Sequence, residues 1–203
     1  MKKEIRESDL LEIIKKLDIS PSMYRNACEK YKSLASLLET HGLEAEMYPQ
    51  GSFALGTVIR PYSKDSTKNY DLDFICQVHS TRDEISPSEL RQQISTILKS
   101  SDRYGGKLTE WDECFTIEYA DINGVGFSID IVPAADESSL IKSELLHLSK
   151  NPWLIDTSVA IPRFSKQKIY NWITNNPKGY RAWFERINAP FNNVSSHEYR
   201  KSL

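Results

Sequence analysis

Cysteine is scarce. The three thiols, Cys28, Cys76 and Cys114, lie far apart, no Cys-x-x-Cys occurs, and the four histidines (His41, His79, His147, His197) are scattered. This excludes a disulfide framework and a cysteine–histidine zinc centre, and fits free thiols in a reducing cytoplasm. A basic excess is also missing: 26 Lys and Arg stand against 28 Asp and Glu, a formal charge of −2. Proteins that wrap nucleic acid nonspecifically carry a marked positive excess, so no strong nucleic-acid binding is expected. A nucleotide substrate, which needs only a local pocket, remains open. No apolar run reaches the length of a membrane span, and nothing behind Met1-Lys2-Lys3-Glu4 resembles a secretory signal. A soluble, cytoplasmic chain with no membrane partner is expected. Internal repeats and low-complexity tracts are absent as well.

What is present is enough for a core. The 203 residues are 39% hydrophobic and 27% charged, the profile of one globular domain or of one domain and part of a second. Residues 8–18 read as a short helix with Ser8 as N-cap. Ser20-Pro21 opens a longer helix ending at His41-Gly42, with Met23, Ala27, Leu34 and Leu38 on one face. Residues 43–48 read as extended and 53–57 as a tight turn or one helical turn. The polar, proline-broken stretch 60–69 is a loop, and Tyr70 to Val78 a strand. Ser86-Pro87 opens another amphipathic helix. Lys107 to Ala120 and Val125 to Pro133 read as strands joined through Asn123-Gly124, a hairpin signal. Residues 136–150 hold a loop or short helix, 153–162 an extended segment, and 164–174 a helical turn or two. Asn176-Pro177 starts the last helix. The order predicts an α+β fold, a small mixed or antiparallel sheet backed by helices on one side.

Chemistry concentrates in three stretches. Asp71 and Asp73 lie two apart in a predicted strand, so both face one side, roughly 7 Å apart along it, while Leu72 and Phe74 face the other. Asp130 is flanked by Ile129 and Ile131 in the same alternating way. If the two strands lie close, three carboxylates converge. Two like charges about 4 Å apart repel by roughly 4 kcal/mol at an effective dielectric of about 20. Divalent cations that prefer oxygen remove that repulsion, and Mg²⁺ combines carboxylates with substrate phosphates. The arrangement therefore reads as a site for two metals. Gly51-Ser52 adds an anion grip: glycine allows close backbone approach to a phosphate and serine adds a donor.

Gly51-Ser52-Phe53-Ala54-Leu55-Gly56-Thr57, Tyr70-Asp71-Leu72-Asp73, Ile129-Asp130-Ile131-Val132-Pro133-Ala134 and Asn176-Pro177-Lys178-Gly179-Tyr180-x-x-Trp183-Phe184 together resemble the nucleotidyltransferase superfamily of DNA polymerase β. The closer resemblance is to the branch of oligoadenylate synthase, cyclic GMP-AMP synthase and the bacterial CD-NTases of CBASS anti-phage systems. It covers about residues 20–187, and the helix at 21–40 is similar to that family's long N-terminal spine helix. The resemblance implies a polymerase-β-type core. Asp71 and Asp73 would bind both metals and the triphosphate, and Asp130 the catalytic metal. Gly51 and Ser52 would hold the donor phosphates. The cofactor would be Mg²⁺, two ions, with Mn²⁺ as a substitute. The reaction would be attack of a ribose 2′- or 3′-hydroxyl on the α-phosphate of an NTP, ATP or GTP among the candidates, with release of pyrophosphate. The product would be a cyclic or linear oligonucleotide that switches on a partner effector. Family members continue into a helical second half, so residues 1–203 are expected to be the catalytic core alone.

Two other readings stay open: transfer of a nucleotide to a protein, RNA or small molecule, and a nucleotide-binding module without turnover. The aromatic group Trp172, Tyr180, Trp183 and Phe184 could stack on a base but is expected to pack. Lys64, Lys68 and Arg60 could reach the triphosphate but read as solvated loop residues.

Overall fold

The structure, a computed structural model, describes residues 7–60, 70–122, 125–149 and 151–191. Three helices form where proline follows a capping side chain. Ser20 Oγ accepts from the Met23 N–H at 3.2 Å and opens α2 (Pro21–Thr40). Ser86 Oγ accepts from the Glu89 N–H, also at 3.2 Å, and opens α4 (Pro87–Ser100). Asn176 Oδ1 accepts from the Gly179 N–H at 2.8 Å and opens α6 (Pro177–Asn188). Each pairing satisfies a donor that the helix itself leaves free, and proline loses nothing at the first position. The 20-residue α2 occupies the stretch expected to be a long helix. The first helix, α1 (Glu7–Leu17), already includes Ser8, so Ser8 lies in its first turn and does not cap it.

The remaining elements are β1 (Ala45–Pro49), α3 (Gly51–Leu55), β2 (Tyr70–Thr81), β3 (Leu108–Glu110), β4 (Phe115–Ile122), β5 (Val125–Asp136), α5 (Ser139–Leu148), β6 (Val159–Phe164) and β7 (Tyr170–Asn175). They build one mixed sheet in the order β1-β2-β5-β4-β3, with β6 pairing with the end of β5 and β7 with β6. Among the described residues only β2 and β5 run parallel; the other pairs are antiparallel. The expected hairpin holds in its strands, β4 and β5, whose register reaches Ile122 opposite Val125. Its Asn123-Gly124 turn lies outside the described residues, as do residues 61–69.

Three further expectations fail, one of them in part: the segment read as extended over 153–162 becomes a strand only from Val159, after a 3-10 turn at Pro152–Leu154. The single strand read over 107–120 is split into β3 and β4, which pair with each other. The Trp111 N–H donates to the Cys114 carbonyl at 2.9 Å to close the turn, and the buried Arg91 guanidinium donates to the Trp111 carbonyl at 2.5 Å. A distant side chain on α4 thus fixes a turn that local pattern does not announce. The helical turns read over 164–174 are the end of β6 and all of β7. Ile161 opposes Ile173 and Pro162 opposes Trp172, with Lys168 at φ 62 in the turn between. That turn carries no Asn-Gly signal, so nothing local marks its hairpin.

Packing covers one face of the sheet. Ala27, Leu34 and Leu38 of α2 and Leu90, Ile94 and Leu98 of α4 meet Leu72, Phe74, Ile117, Ile129 and Ile131, all at most 2% exposed. Full burial of such a side chain stabilises by about 1.5–3 kcal/mol. On the opposite face a smaller cluster of Tyr48, Ile75, Val132, Ala134, Val159 and Ile161 covers one end. The other end, around Asp71 and Asp73, is left open.

Candidate active site

Alternation along β2 divides its residues sharply. Tyr70, Leu72 and Phe74 are buried beneath the helices, while Asp71 and Asp73 lie on the open face. In β5, Phe127, Ile129 and Ile131 are buried and Ser128 and Asp130 take the same open face as the acids. The parallel register sets Asp71 opposite Ser128 and Asp73 opposite Asp130. Neighbouring strands lie about 4.8 Å apart, so the last two carboxylates start from adjacent backbone positions. Strand β4 extends the pattern, with Thr116 opposite Asp130 and Glu118 opposite Ser128. The open face therefore carries two rows: Asp71, Ser128, Glu118 and Asp73, Asp130, Thr116.

The turn before α3 closes over this surface. The Gln50 N–H donates to the Asp73 carbonyl at 2.8 Å. Gly51 follows at φ +59, and a Cβ placed there would sit 2.5 Å from Asp73 Oδ2. Both conformation and space demand glycine. After the short helix Gly56, at φ 69, reverses the chain and the Thr57 N–H donates to the Ser52 carbonyl at 2.8 Å. The result is a cleft of about 730 Å³ lined by the three aspartates, Ser52, Thr57, Glu118 and Ser128 among others. Four of the five site residues expected from the sequence, Ser52, Asp71, Asp73 and Asp130, thus line one cleft, and the fifth, Gly51, sits against Asp73. Thr116, Ser128 and Glu118 were missed as neighbours of the acids; the alternation of β4, carried across the hairpin, was the signal that could have found them.

Electrostatics follow from this crowding. Burial, then the charges of Asp130 and Asp71, push the Asp73 carboxyl up to about 6. Asp130 is raised as well, chiefly by burial, while the hydrogen bond from Thr116 works the other way. Thr116 Oγ1 donates to Asp130 Oδ1 at 2.5 Å, and Ser128 Oγ donates to Asp71 Oδ1 at 2.5 Å. Cys114, next to this surface, has its thiol pushed up to about 11 by burial and the nearby Asp130, so it stays neutral and offers no nucleophile. Cys28, Cys76 and Cys114 are all free, as expected.

The donors are oxygen only, which suits a hard cation such as Mg²⁺. Among the described residues no three Asp, Glu, His or Cys side chains form a group ready to hold a metal ion. Each outer acid is bonded through Oδ1 to a hydroxyl one strand away, Asp71 to Ser128 on β5 and Asp130 to Thr116 on β4. The backbone brings the three acids to one face, and their chemistry fits the ion.

Other expected residues fall elsewhere. Arg60 is exposed and does not line the cleft; Lys64 and Lys68 lie outside the described residues. Trp172 packs against the main core as expected. Tyr180 and Trp183 do not bury themselves: they are 56% and 41% exposed, 5.5 Å apart between ring centroids on the outer side of α6. Asn176-Pro177-Lys178-Gly179 is a structural clasp. Asn176 caps α6, accepts from Thr157 Oγ1 at 2.9 Å and donates to the Leu154 carbonyl. A Cβ on Gly179 would strike that carbonyl and Asn176 itself.

Comparison with known proteins agrees with this fold. Residues 5–188 match the family model for the Second Messenger Oligonucleotide or Dinucleotide Synthetase domain. The chain is 27% identical over 143 residues to a c-di-GMP synthase of Roseivirga ehrenbergii, covering 70% of this chain and 32% of that protein. Among solved structures it is similar to the Bradyrhizobium diazoefficiens CD-NTase CdnG in complex with GTP, with TM-score 0.63 and 22% identity over 86% of this chain and 45% of that one. It is also similar to the STING-associated CdnE c-di-GMP synthase of Capnocytophaga granulosa, with TM-score 0.60 and 15% identity over 98% and 57%. The chain thus spans about a third of the curated relative and about half of these solved ones. An α+β fold with an open mixed sheet is shared with them, and with nine-tenths of its length matched, this chain belongs to the Second Messenger Oligonucleotide or Dinucleotide Synthetase (SMODS) family.

Proposed function

We propose that this chain is the catalytic core of a metal-dependent nucleotidyltransferase that joins NTPs into a cyclic or linear oligonucleotide messenger and releases pyrophosphate. The observation that carries the reading is the register of β2 and β5, which stacks Asp73 on Asp130, with Asp71 on the same face, beneath the Gly51-Ser52 turn. GTP is bound by the related CdnG, and ATP or GTP is the substrate proposed here. The relatives extend well beyond the matched region, and in this reading a segment of that kind completes the nucleotide cleft.

Each residue has a defined task. The Ser52 hydroxyl and the backbone at Gly51, free of a Cβ, hold the donor's phosphates. Asp71 and Asp73 would hold both metal ions and, through them, the triphosphate, and Asp130 would hold the catalytic ion beside the acceptor. Two Mg²⁺ ions, with Mn²⁺ able to replace them, would supply charge neutralisation for the triphosphate and a lowered pKa for the attacking hydroxyl. Asp130 orients the acceptor's 2′- or 3′-hydroxyl and helps take its proton. That oxygen bonds to the α-phosphorus, the bond to the bridging oxygen breaks, and pyrophosphate leaves. The setting is the cytoplasm, and the product acts on a separate effector, as in CBASS anti-phage signalling. Among the described residues no helix is long and apolar enough to cross a membrane.

Incubation with labelled NTPs and Mg²⁺ or Mn²⁺, followed by phosphatase and separation of products, tests the reading. A phosphatase-resistant nucleotide product that disappears in Asp73→Asn is expected. No product from any NTP mixture with the full-length protein, or product indifferent to Asp73→Asn, would overturn it. Label on a protein, RNA or small molecule would redirect it to another acceptor.

A further inference from the structure

We infer that Thr116 and Ser128 are positioning residues that set the outer carboxylates, Asp130 and Asp71, for a divalent cation. The inference rests on the metal-dependent reading above and extends it to residues that hold no cation themselves.

The two hydrogen bonds share a geometry. Each joins a carboxylate to the residue directly opposite it on the next strand: Asp71 to Ser128 across β2 and β5, Asp130 to Thr116 across β5 and β4. Each is 2.5 Å long and engages Oδ1 alone. Hydrogen bonds between a hydroxyl and a carboxylate are short and strong when the acceptor is ionised. The terminal torsion of an aspartate is soft and two-fold, so a free carboxylate rotates readily. Holding Oδ1 fixes the carboxyl plane and leaves Oδ2 for the cleft. Ser128 is 6% exposed, so its hydroxyl serves the carboxylate and not the solvent. Asp73 needs no such partner. It sits under Gly51, where a single added carbon would meet its Oδ2 at 2.5 Å, and the turn itself confines it. The three acids are thus held in two ways, the middle one by backbone contact and the outer two by hydroxyls.

Groups that hydrogen-bond to metal-ligating carboxylates typically govern about 10–100-fold in metal affinity or activity. The test is Mn²⁺ binding without nucleotide, read as free Mn²⁺ by electron paramagnetic resonance, on the 203-residue chain and its variants. Thr116→Val and Ser128→Ala should each weaken Mn²⁺ binding about tenfold. Thr116→Ser and Ser128→Thr, which keep the hydroxyl, should bind close to the parent. Metal-free thermal melting accompanies every variant, so that a folding defect in one is distinguished from lost affinity and the other pair still decides. Unchanged affinity in Thr116→Val and Ser128→Ala, with a parent that binds, would make the bonds purely structural and overturn the inference while leaving the metal reading intact. Tighter binding would overturn it in the other direction, by showing that the hydroxyls compete with the cation. A parent that binds no Mn²⁺ would overturn both readings together.

Discussion

The two faces of β2 and β5 come from the same strands and obey opposite rules. Toward the helices, Leu72, Phe74, Ile129 and Ile131 are at most 1% exposed and complete a close-packed core. On the reverse, one residue along, Asp71, Asp73 and Asp130 crowd like charges into a half-buried cleft that raises two of them. The first face gains stability from every contact. The second gives some up, because desolvated neighbouring carboxylates cost free energy until a cation arrives. The packed face is what allows the strained one to persist, since it locks the register that stacks Asp73 on Asp130.

That division can be broken from either side. Asp73→Asn should have the largest effect on chemistry. It removes the central charge of the acid row, and turnover should fall by at least about a thousandfold, about 4 kcal/mol of barrier. The fold should tolerate the change, with a circular dichroism spectrum like the parent's. Leu72→Ala, its neighbour on the other face, should do the converse. It leaves a cavity under α2 and α4 and should cost about 2–5 kcal/mol in denaturant unfolding. Turnover per folded molecule should fall far less than in Asp73→Asn. If Leu72→Ala destroyed turnover in protein that remained folded, the two faces would not be separable in this way.

Gly51→Ala probes the boundary between them. Alanine at φ +59 is strained and its Cβ would press on Asp73 Oδ2, so about 1–3 kcal/mol of stability should be lost. Because the relief available is displacement of Asp73, turnover should fall as well, about tenfold or more. Comparison with Gly42→Ala sharpens this. Gly42 has a similar positive φ of 80, and a Cβ added there would meet nothing within 4 Å, so it should lose stability without losing turnover.

Much of the acid face was legible because alternation is a local signal. Asp71 and Asp73 two apart, with Leu72 and Phe74 between and after, declare one polar and one apolar side without any knowledge of partners. Asp130 between two isoleucines does the same. What local pattern could not supply was pairing. The parallel register of β2 and β5 joins residues 57 positions apart, and nothing near Asp73 names Asp130 as its partner. Thr116 and Ser128 escaped for the same reason, since a hydroxyl facing outward from a strand is ordinary until the neighbouring strand places a carboxylate beside it. The split of residues 107–120 into β3 and β4 depends on Arg91, 20 residues from the Trp111 carbonyl it holds. Helix starts were read most reliably, since Ser-Pro and Asn-Pro carry both the cap and the first turn within a few residues.

The smallest effect expected is the most direct measure of the cost on the open face. The Asp73 carboxyl sits at about 6 in the fold, against an ordinary value of 3.8. The folded chain therefore binds this proton more tightly than the unfolded one does. The stabilisation by that proton is complete below about pH 3.8 and is lost as pH rises through about 6. The cleft is open to water on one side, which screens the effect, and about 1–2 kcal/mol is a reasonable scale at neutral pH. Asp73→Asn carries no titrating group, so in the absence of metal it should be more stable than the parent at about pH 7 by that amount. The advantage should shrink steadily toward about pH 4. Saturating Mg²⁺ should reverse the order at neutral pH, because the parent alone keeps the charge that the ion neutralises. Chemical denaturation of both proteins across about pH 4–7, with and without Mg²⁺, reads this difference directly. A constant gap across the pH range would mean that Asp73 titrates alike in the folded and unfolded chains, so that neither burial nor the neighbouring carboxylates strain the open face.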